Sequence, residues 1–350
     1  MRILIVQTAF LGDVVLTLSL VQSVQQYFPD AQVEMLTVPD HASVVRGQPG
    51  LAAVITYDKR GNQRGLRGFV NTVRTLRDRG YDLALSPHRS LRSALLLACS
   101  GIPQRIGFAQ WLTGWAYTDT VTRPATGHEV EKSLKLLTPL APFSTSQPGR
   151  LVIQVSPESR QKAQVILFRH GVRPEQTLIG MIPGSQWGTK RWPADRFAAL
   201  ISYLTQRSQI RVVLFGGSQD RYIAEAIIAG CQIPVIDLIG HTPLPDLPAY
   251  LDCCHVVVSN DTGPMHIVAA LGKPIVVLYG PTTPELGFYP YGVPWEAASV
   301  SLPCRPCHAH GPQRCPLSHW RCMRDLSVEQ VAEGVHRLLE QTLLPREEQV

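Results

Sequence analysis

The sequence predicts an α/β protein built from two doubly wound, parallel-sheet domains that face each other across a cleft. Short apolar runs alternate with helical stretches through residues 3–108, and the same alternation returns through residues 178–279. That pattern builds a parallel sheet with helices on both faces. A length of 350 residues also suits two domains of ordinary size.

In the first half, strands are expected at residues 3–6, 32–37, 54–57, 83–86 and 105–108, and helices at 14–28, 66–79 and 91–100. The stretch 139–148, with its prolines and serines, marks weakened order. A helix at 158–169 then leads to a boundary near 172–176. In the second half, strands are expected at 178–182, 212–215, 235–238, 256–259 and 275–279, and helices at 194–206, 220–229, 247–253 and 264–271. A last helix at 328–343 follows an irregular, Cys-rich region. The domains are therefore placed at 1–172 and 173–326, with 327–350 as a closing helix.

Composition narrows the function. Hydrophobic content of 45% and charged content of 17% fit a packed globular protein. No apolar run reaches the ~20 residues that span a bilayer. The amino terminus runs from Met1 straight into a strand, without a signal-peptide core or cleavage site. A cytoplasmic protein is expected. The net charge of +6 lies wholly in residues 1–150, which hold 16 Lys and Arg against 10 Asp and Glu. It is densest at Lys59, Arg60, Arg64, Arg67, Arg74, Arg77 and Arg79, a span with one acid, Asp78. This run is either a solvated helix face or a surface for an anionic partner.

Four segments carry candidate chemistry. In Ser259-Asn260-Asp261-Thr262-Gly263-Pro264-Met265-His266, a buried strand turns into a helix. Thr262 is placed to cap that helix, Gly263 to let a ligand approach, and Pro264 to occupy the first turn, where no N–H is needed. The free N–H groups and the positive dipole end suit a phosphate, and His266 adds a donor. The turn from Pro183 to Pro193 offers Ser185, Thr189 and Lys190 to a phosphate, and Gly184 and Gly188 are expected to keep its backbone accessible. A third loop, Gly216-Gly217-Ser218-Gln219-Asp220, opens another helix at the same sheet edge. Asp13, after the first strand, is either a helix cap or a general base. No G-x-G-x-x-G follows that strand, which argues against a nicotinamide enzyme. No Asp-x-Asp occurs either, so a leaving pyrophosphate would be neutralised by protein charge rather than by a divalent metal.

Together, Leu11-Gly12-Asp13-Val14-Val15-Leu16-Thr17, Pro183-Gly184-Ser185, Lys190-Arg191-Trp192-Pro193 and Asp261 to His266 resemble the ADP-heptose:lipopolysaccharide heptosyltransferases of glycosyltransferase family 9. Arg105-Ile106-Gly107-Phe108, His128-Glu129-Val130 and the run from Ala269 through Thr282 support the resemblance, which spans residues 1–340 or so. It implies an inverting transferase with two Rossmann-like domains in the GT-B arrangement. It makes Asp13 the base that deprotonates the acceptor hydroxyl. It assigns Ser185, Thr189, Lys190, Gly216, Asp261, Thr262, Gly263 and His266 to the ADP-heptose donor, with no cofactor needed for catalysis. It gives the amino-terminal domain the phosphorylated lipid A core acceptor, for which Arg60, Arg64, Arg67, Arg89 and Arg92 are candidates. It also has the final helix cross back to that domain. The implied enzyme is a monomer that touches the cytoplasmic face of the inner membrane and binds no nucleic acid.

Cys304, Cys307, Cys315 and Cys322 place four of the eight cysteines within one short segment. Their presence looks more like heptosyltransferase II than I. Their spacing admits a structural zinc or iron, with His308, His310 and His319 as substitute ligands, but also reduced thiols or disulfides. Three readings compete with the heptosyltransferase: a family-9-like transferase with another nucleotide sugar or acceptor, a nucleotide-sugar epimerase, and a two-lobed solute-binding protein. The phosphate set at Lys190, Thr262 and His266 argues against the last.

Overall fold

The computed structural model describes residues 1–140, 149–206 and 209–343. It divides into two compact units, Met1–Gln154 and Val155–Val350. From residue 141 on, the stretch of expected weak order lies outside the described residues.

The first unit runs β1 (Arg2–Val6), α1 (Leu11–Tyr27), β2 (Gln32–Thr37), α2 (Pro39–Val45), β3 (Ala53–Thr56), α3 (Leu66–Asp78), β4 (Leu83–Ser86), α4 (Leu91–Ser100), β5 (Gln104–Phe108), β6 (Asp119–Val121) and α5 (Glu129–Leu134). Its six strands pair in the order β3-β2-β1-β4-β5-β6, all parallel. Ile3, Leu4, Ile5 and Val6 are wholly buried because β1 sits mid-sheet with helices on both faces.

The second unit runs α6 (Pro157–Arg169), β7 (Thr177–Ile182), α7 (Ala194–Leu204), β8 (Ile210–Leu214), α8 (Arg221–Gly230), β9 (Ile236–Asp237), α9 (Leu247–Asp252), β10 (Val256–Asn260), α10 (Gly263–Ala270), β11 (Ile275–Tyr279), β12 (Trp295–Ser299), α11 (Arg321–Arg324) and α12 (Val328–Leu343). Its strand order is β12-β11-β10-β7-β8-β9, again all parallel. Counted from its own first strand, this is the order of the first unit. In each sheet the order reverses between two central strands, β1 and β4 in the first and β7 and β10 in the second. Ligands of open α/β sheets bind beyond the carboxyl ends of such strands.

Several details differ from the sequence reading, the short helices α2, α5 and α11 among them, which it does not place. The units divide at residue 154, not near 172, and α6 packs on α9 of the second unit. The edge strands β6 and β12 were missed. They pair along one side only and lack the continuous apolar run of a central strand: β12 reads Trp-Glu-Ala-Ala-Ser. The last helix was expected to return to the first domain. Instead Val331, Ala332, Val335 and Leu338 form its buried stripe in the second unit's core, and it packs on α7, β10, β11 and β12.

Candidate active site

At the reversal point of the first sheet, the loop after β1 meets the loop after β4. Thr8 Oγ1 lies 3.0 Å from His88 Nδ1, which lies 3.0 Å from Ser93 Oγ. Lys59, in the loop after β3, donates to the Thr8 carbonyl at 2.6 Å and to its hydroxyl at 3.1 Å. Burial, and then Lys59, pushes His88 down to about 4, so the imidazole is neutral at pH 7. Burial, and then Arg60 and Arg92, lowers Lys59 as well. Arg92 stacks on the Tyr57 ring at 5.1 Å and donates to its hydroxyl. The candidates Arg60, Arg64, Arg67 and Arg89 are exposed at this edge. Among the described residues, no ion pair joins them to an acid. Lys59 and His88 were not assigned to the site from sequence. The clue to Lys59 was its place first in the basic run.

Asp13 sits in the first turn of α1, and its Oδ2 accepts the Phe10 amide at 3.2 Å. The carboxylate therefore does cap the helix. It also has the environment of a base. Burial first, then the Glu129 carboxylate, raises its pKa to about 6, against the Phe10 amide and Arg123. Glu129 opens α5, whose cap is His128: Nδ1 of that buried side chain accepts the Val130 amide at 3.1 Å. Arg123 chelates Glu129 at 2.5 and 2.6 Å, and Lys132 adds a contact of 2.9 Å. A fixed anion thus stands near Asp13.

At the reversal point of the second sheet, Lys190 Nζ lies 2.6 Å from Asp261 Oδ2, and Thr282 Oγ1 donates to the same oxygen at 2.6 Å. Asn260 ties the two loops together. It accepts the Trp192 amide at 3.2 Å and donates to the Pro183 carbonyl at 2.7 Å. Thr262 occupies the N-cap position of α10 with no side-chain cap bond, Gly263 and Pro264 open the helix, and His266 is buried in its first turn. The third loop closes on itself: Asp220 accepts the Gly217 amide at 3.1 Å, and Gly216 accepts from the Gly240 amide at 3.0 Å.

The description "Glycosyltransferase family 9 (heptosyltransferase)" matches residues 70–317. The chain belongs to that family. It is 27% identical to lipopolysaccharide heptosyltransferase 2 of Escherichia coli K12 over 294 residues, covering 81% of this chain and 84% of the relative. It is 29% identical to lipopolysaccharide heptosyltransferase 3 of the same organism over 282 residues, covering 77% and 80%. The crystal structure of the family 9 glycosyl transferase from Veillonella parvula superposes with a TM-score of 0.88 at 26% identity, covering 97% of both chains. Types 2 and 3 thus match the chain at similar identity.

In this glycosyltransferase the Cys-rich segment crosses the loops after β7 and β11 as a strap. The half-buried Arg305 guanidinium donates to the Tyr279 carbonyl at 3.1 Å and the Thr282 carbonyl at 2.9 Å, and also to those of Gly280 and Val300. Gln313 accepts the Gly188 amide at 3.2 Å and donates to the Gln186 carbonyl at 3.1 Å. Thr189 donates its hydroxyl proton to the Pro312 carbonyl. Gly311, at φ +85°, lies on the Lys190 stem, where a Cβ would come within 3.0 Å of Cε. Gly188 is thus not an open backbone donor, and Thr189 holds the strap.

Among the described residues, no group of three or more His, Cys, Asp or Glu is placed to hold a metal ion. Cys304, Cys307, Cys315 and Cys322 are free thiols. Cys304 Sγ faces His319 Nε2 at 3.8 Å, while Cys322 turns into the core, where burial pushes it up to about 11. Of the readings left open for the four cysteines, the structure describes free thiols, in a segment that Arg305 ties to backbone carbonyls. Among the described residues, no helix is long and apolar enough to cross a membrane.

Proposed function

We propose that this enzyme transfers heptose from ADP-heptose to the phosphorylated inner core of a lipid A acceptor, with inversion at the anomeric carbon. The observation that carries the reading is the half-buried Asp13 at the reversal point of the first sheet, its pKa raised to about 6, in a chain of the heptosyltransferase family. A carboxylate with that pKa is ionised at pH 7 yet basic enough to take a proton. In the proposed step Asp13 removes the proton of an acceptor hydroxyl. The oxygen forms a bond to the anomeric carbon, the bond to the diphosphate breaks, and ADP leaves with the electron pair. Lys190 and the amino end of α10 neutralise the charge that develops on the leaving diphosphate.

Lys59, Arg60, Arg64, Arg67, Arg89 and Arg92 support an anionic acceptor, because this cationic edge has few carboxylates to balance it. The neutral His88 can hydrogen-bond an acceptor hydroxyl without adding charge. The proposal extends to a peripheral enzyme at the cytoplasmic face of the inner membrane, where such an acceptor resides. The test is incubation with ADP-heptose and a heptose-acceptor lipid A core, followed by mass analysis. A gain of one heptosyl unit with release of ADP supports the proposal. Turnover with a different sugar nucleotide and none with ADP-heptose would move the enzyme to another substrate within its family.

A further inference from the structure

Among its described residues the first unit exposes seven large hydrophobic side chains: Met1, Phe10, Leu66, Leu91, Trp111, Leu112 and Trp115. All but Met1 lie in loops or first helical turns that follow strands of a sheet whose six strands are all parallel. The topology therefore gathers them at one edge. The extreme case is the loop between β5 and β6, where Trp111 is 93% exposed, Leu112 60% and Trp115 62%.

This loop is tied down by its own hydrogen bonds. The Thr113 and Gly114 amides donate to the Gln110 carbonyl at 3.3 and 2.8 Å. Trp115 Nε1 donates to the Leu112 carbonyl at 3.0 Å, so its polar edge is satisfied within the loop. Arg105 Nε holds the Ala116 carbonyl at 2.9 Å. The buried Tyr117 ring lies flat on Gly107, where a Cβ would come within 2.3 Å of it. Two tryptophans and a leucine are thus presented outward by a fixed scaffold.

Arg89 is held at the base of this tip, and further cations lie along the same sheet edge at the loop after β3. With its oxygen turned toward the guanidinium, the Gln110 amide accepts Arg89 Nη2 at 3.0 Å and donates to Thr113 Oγ1 at 3.1 Å. Arg60 and Arg64 precede the exposed Leu66, and Arg67 follows it. Leu66 and Val70 line a shallow depression between Arg67 and Arg74. The segment from residue 109 to 118 contains no acid. An exposed patch of this kind marks a binding surface. Trp and Leu at the tip of an edge that also carries Arg60, Arg64, Arg67 and Arg89 match the interfacial zone of an anionic bilayer, where indole rings sit at headgroup level and arginines meet lipid phosphates.

We propose that Trp111, Leu112 and Trp115 form an interfacial anchor that docks this edge onto an anionic lipid bilayer. The inference builds on the lipid-borne acceptor proposed above and names the surface that reaches it. The test is co-flotation of the full-length protein with phosphatidylglycerol-containing vesicles, against pure phosphatidylcholine vesicles. The wild type should float with the anionic vesicles, and added salt should release it. The triple variant Trp111→Ser, Leu112→Ser, Trp115→Ser should partition at least tenfold more weakly. Its transfer to a de-acylated, water-soluble acceptor should stay unchanged, which also shows that it folds. The single Trp111→Ser, at a fully solvated ring, should weaken flotation in the same direction.

Flotation of the triple variant equal to wild type would overturn the proposal, as would failure of the wild type to bind. A wild-type dimer that the triple substitution dissociates would also overturn it and give the patch to a second copy of the chain. Vesicle binding without transfer to either acceptor would instead remove the functional reading and leave the anchor standing.

Discussion

Lys190 Nζ lies 2.6 Å from Asp261 Oδ2, with each side chain only 9% exposed. The two come from loops after adjacent strands, β7 and β10, and Thr282 after β11 binds the same carboxylate oxygen. An ammonium has three donors. The Asp261 bond uses one and fixes the direction of the others. Asp261 thereby orients the Lys190 ammonium while offsetting part of its charge.

Lys190→Ala is expected to lower stability by about 3–5 kcal/mol, because it leaves the Asp261 carboxylate buried and unpaired. It should also weaken ADP binding roughly tenfold or more by removing a charge-assisted bond. Adding Asp261→Ala should restore much of the stability and none of the affinity. Thermal melts and ADP titrations of both variants check this. Equal melting of the single and double variants would mean the two charges are not coupled.

Asp13 gives a pH prediction of definite sign. Its pKa is raised to about 6 in the folded protein from 3.8. The folded state therefore binds the proton more tightly, and stability falls as pH rises through this window, then levels off. Activity does the opposite: kcat/KM should climb through about pH 6 and plateau as the base ionises. Asp13→Asn should lose about 10²–10⁴-fold in kcat. At pH 7 it should melt higher than wild type, by an amount on the order of 1–2 kcal/mol after discounting for partial exposure. An unchanged kcat would leave Asp13 a helix cap alone.

The fold was legible because each central strand is a short apolar run between turn residues, and the phosphate-friendly loops announce themselves by Gly, Pro and Thr at a helix start. Strands β2, β4 and β11 lie where their residues predict. What stayed hidden depends on partners distant in sequence. The Glu129 carboxylate acts on Asp13 through its charge from over a hundred positions away in sequence, and no local pattern encodes that. What orders the strap was hidden for a related reason. Spacing of Cys304, Cys307, Cys315 and Cys322 resembles a ligand set, but Arg305 holds the segment through backbone carbonyls, and carbonyl acceptors leave no trace in a sequence.

That anchoring predicts the behaviour of Arg305 variants. Its fork reaches four carbonyls, a geometry that a lysine ammonium cannot reproduce. Arg305→Lys and Arg305→Ala should both cost about 2–4 kcal/mol. Both should expose residues 303–320 to limited proteolysis. Donor affinity should fall in step, because Gly311 no longer confines the Lys190 stem. Unchanged proteolysis in Arg305→Ala would show that Gln313 and Thr189 hold the strap without it.

The basic run from Lys59 to Arg79 is one stretch in sequence but two devices in the structure. Arg79 pairs with the buried Glu34, which also takes Arg2 Nη2 at 3.0 Å and the Tyr81 hydroxyl at 2.6 Å. Burial pushes the Glu34 pKa up, but Tyr81, Arg2 and Arg79 outweigh it and hold the carboxyl below its usual range. A depressed carboxylate pKa adds stability above its ordinary value of 4.5 and loses it as pH falls through the folded value. Arg79→Ala should therefore lower the melting temperature at pH 7, and by less in acid, with acceptor KM unchanged. Joint reversal of Arg60, Arg64 and Arg67 to Glu should do the reverse. Acceptor KM should rise, wild-type KM should rise with salt, and the melting temperature should hardly move, because these side chains are solvated and unpaired with any described acid. If both sets of variants moved KM alike, the run would be a single acceptor surface and the Glu34 cluster part of it.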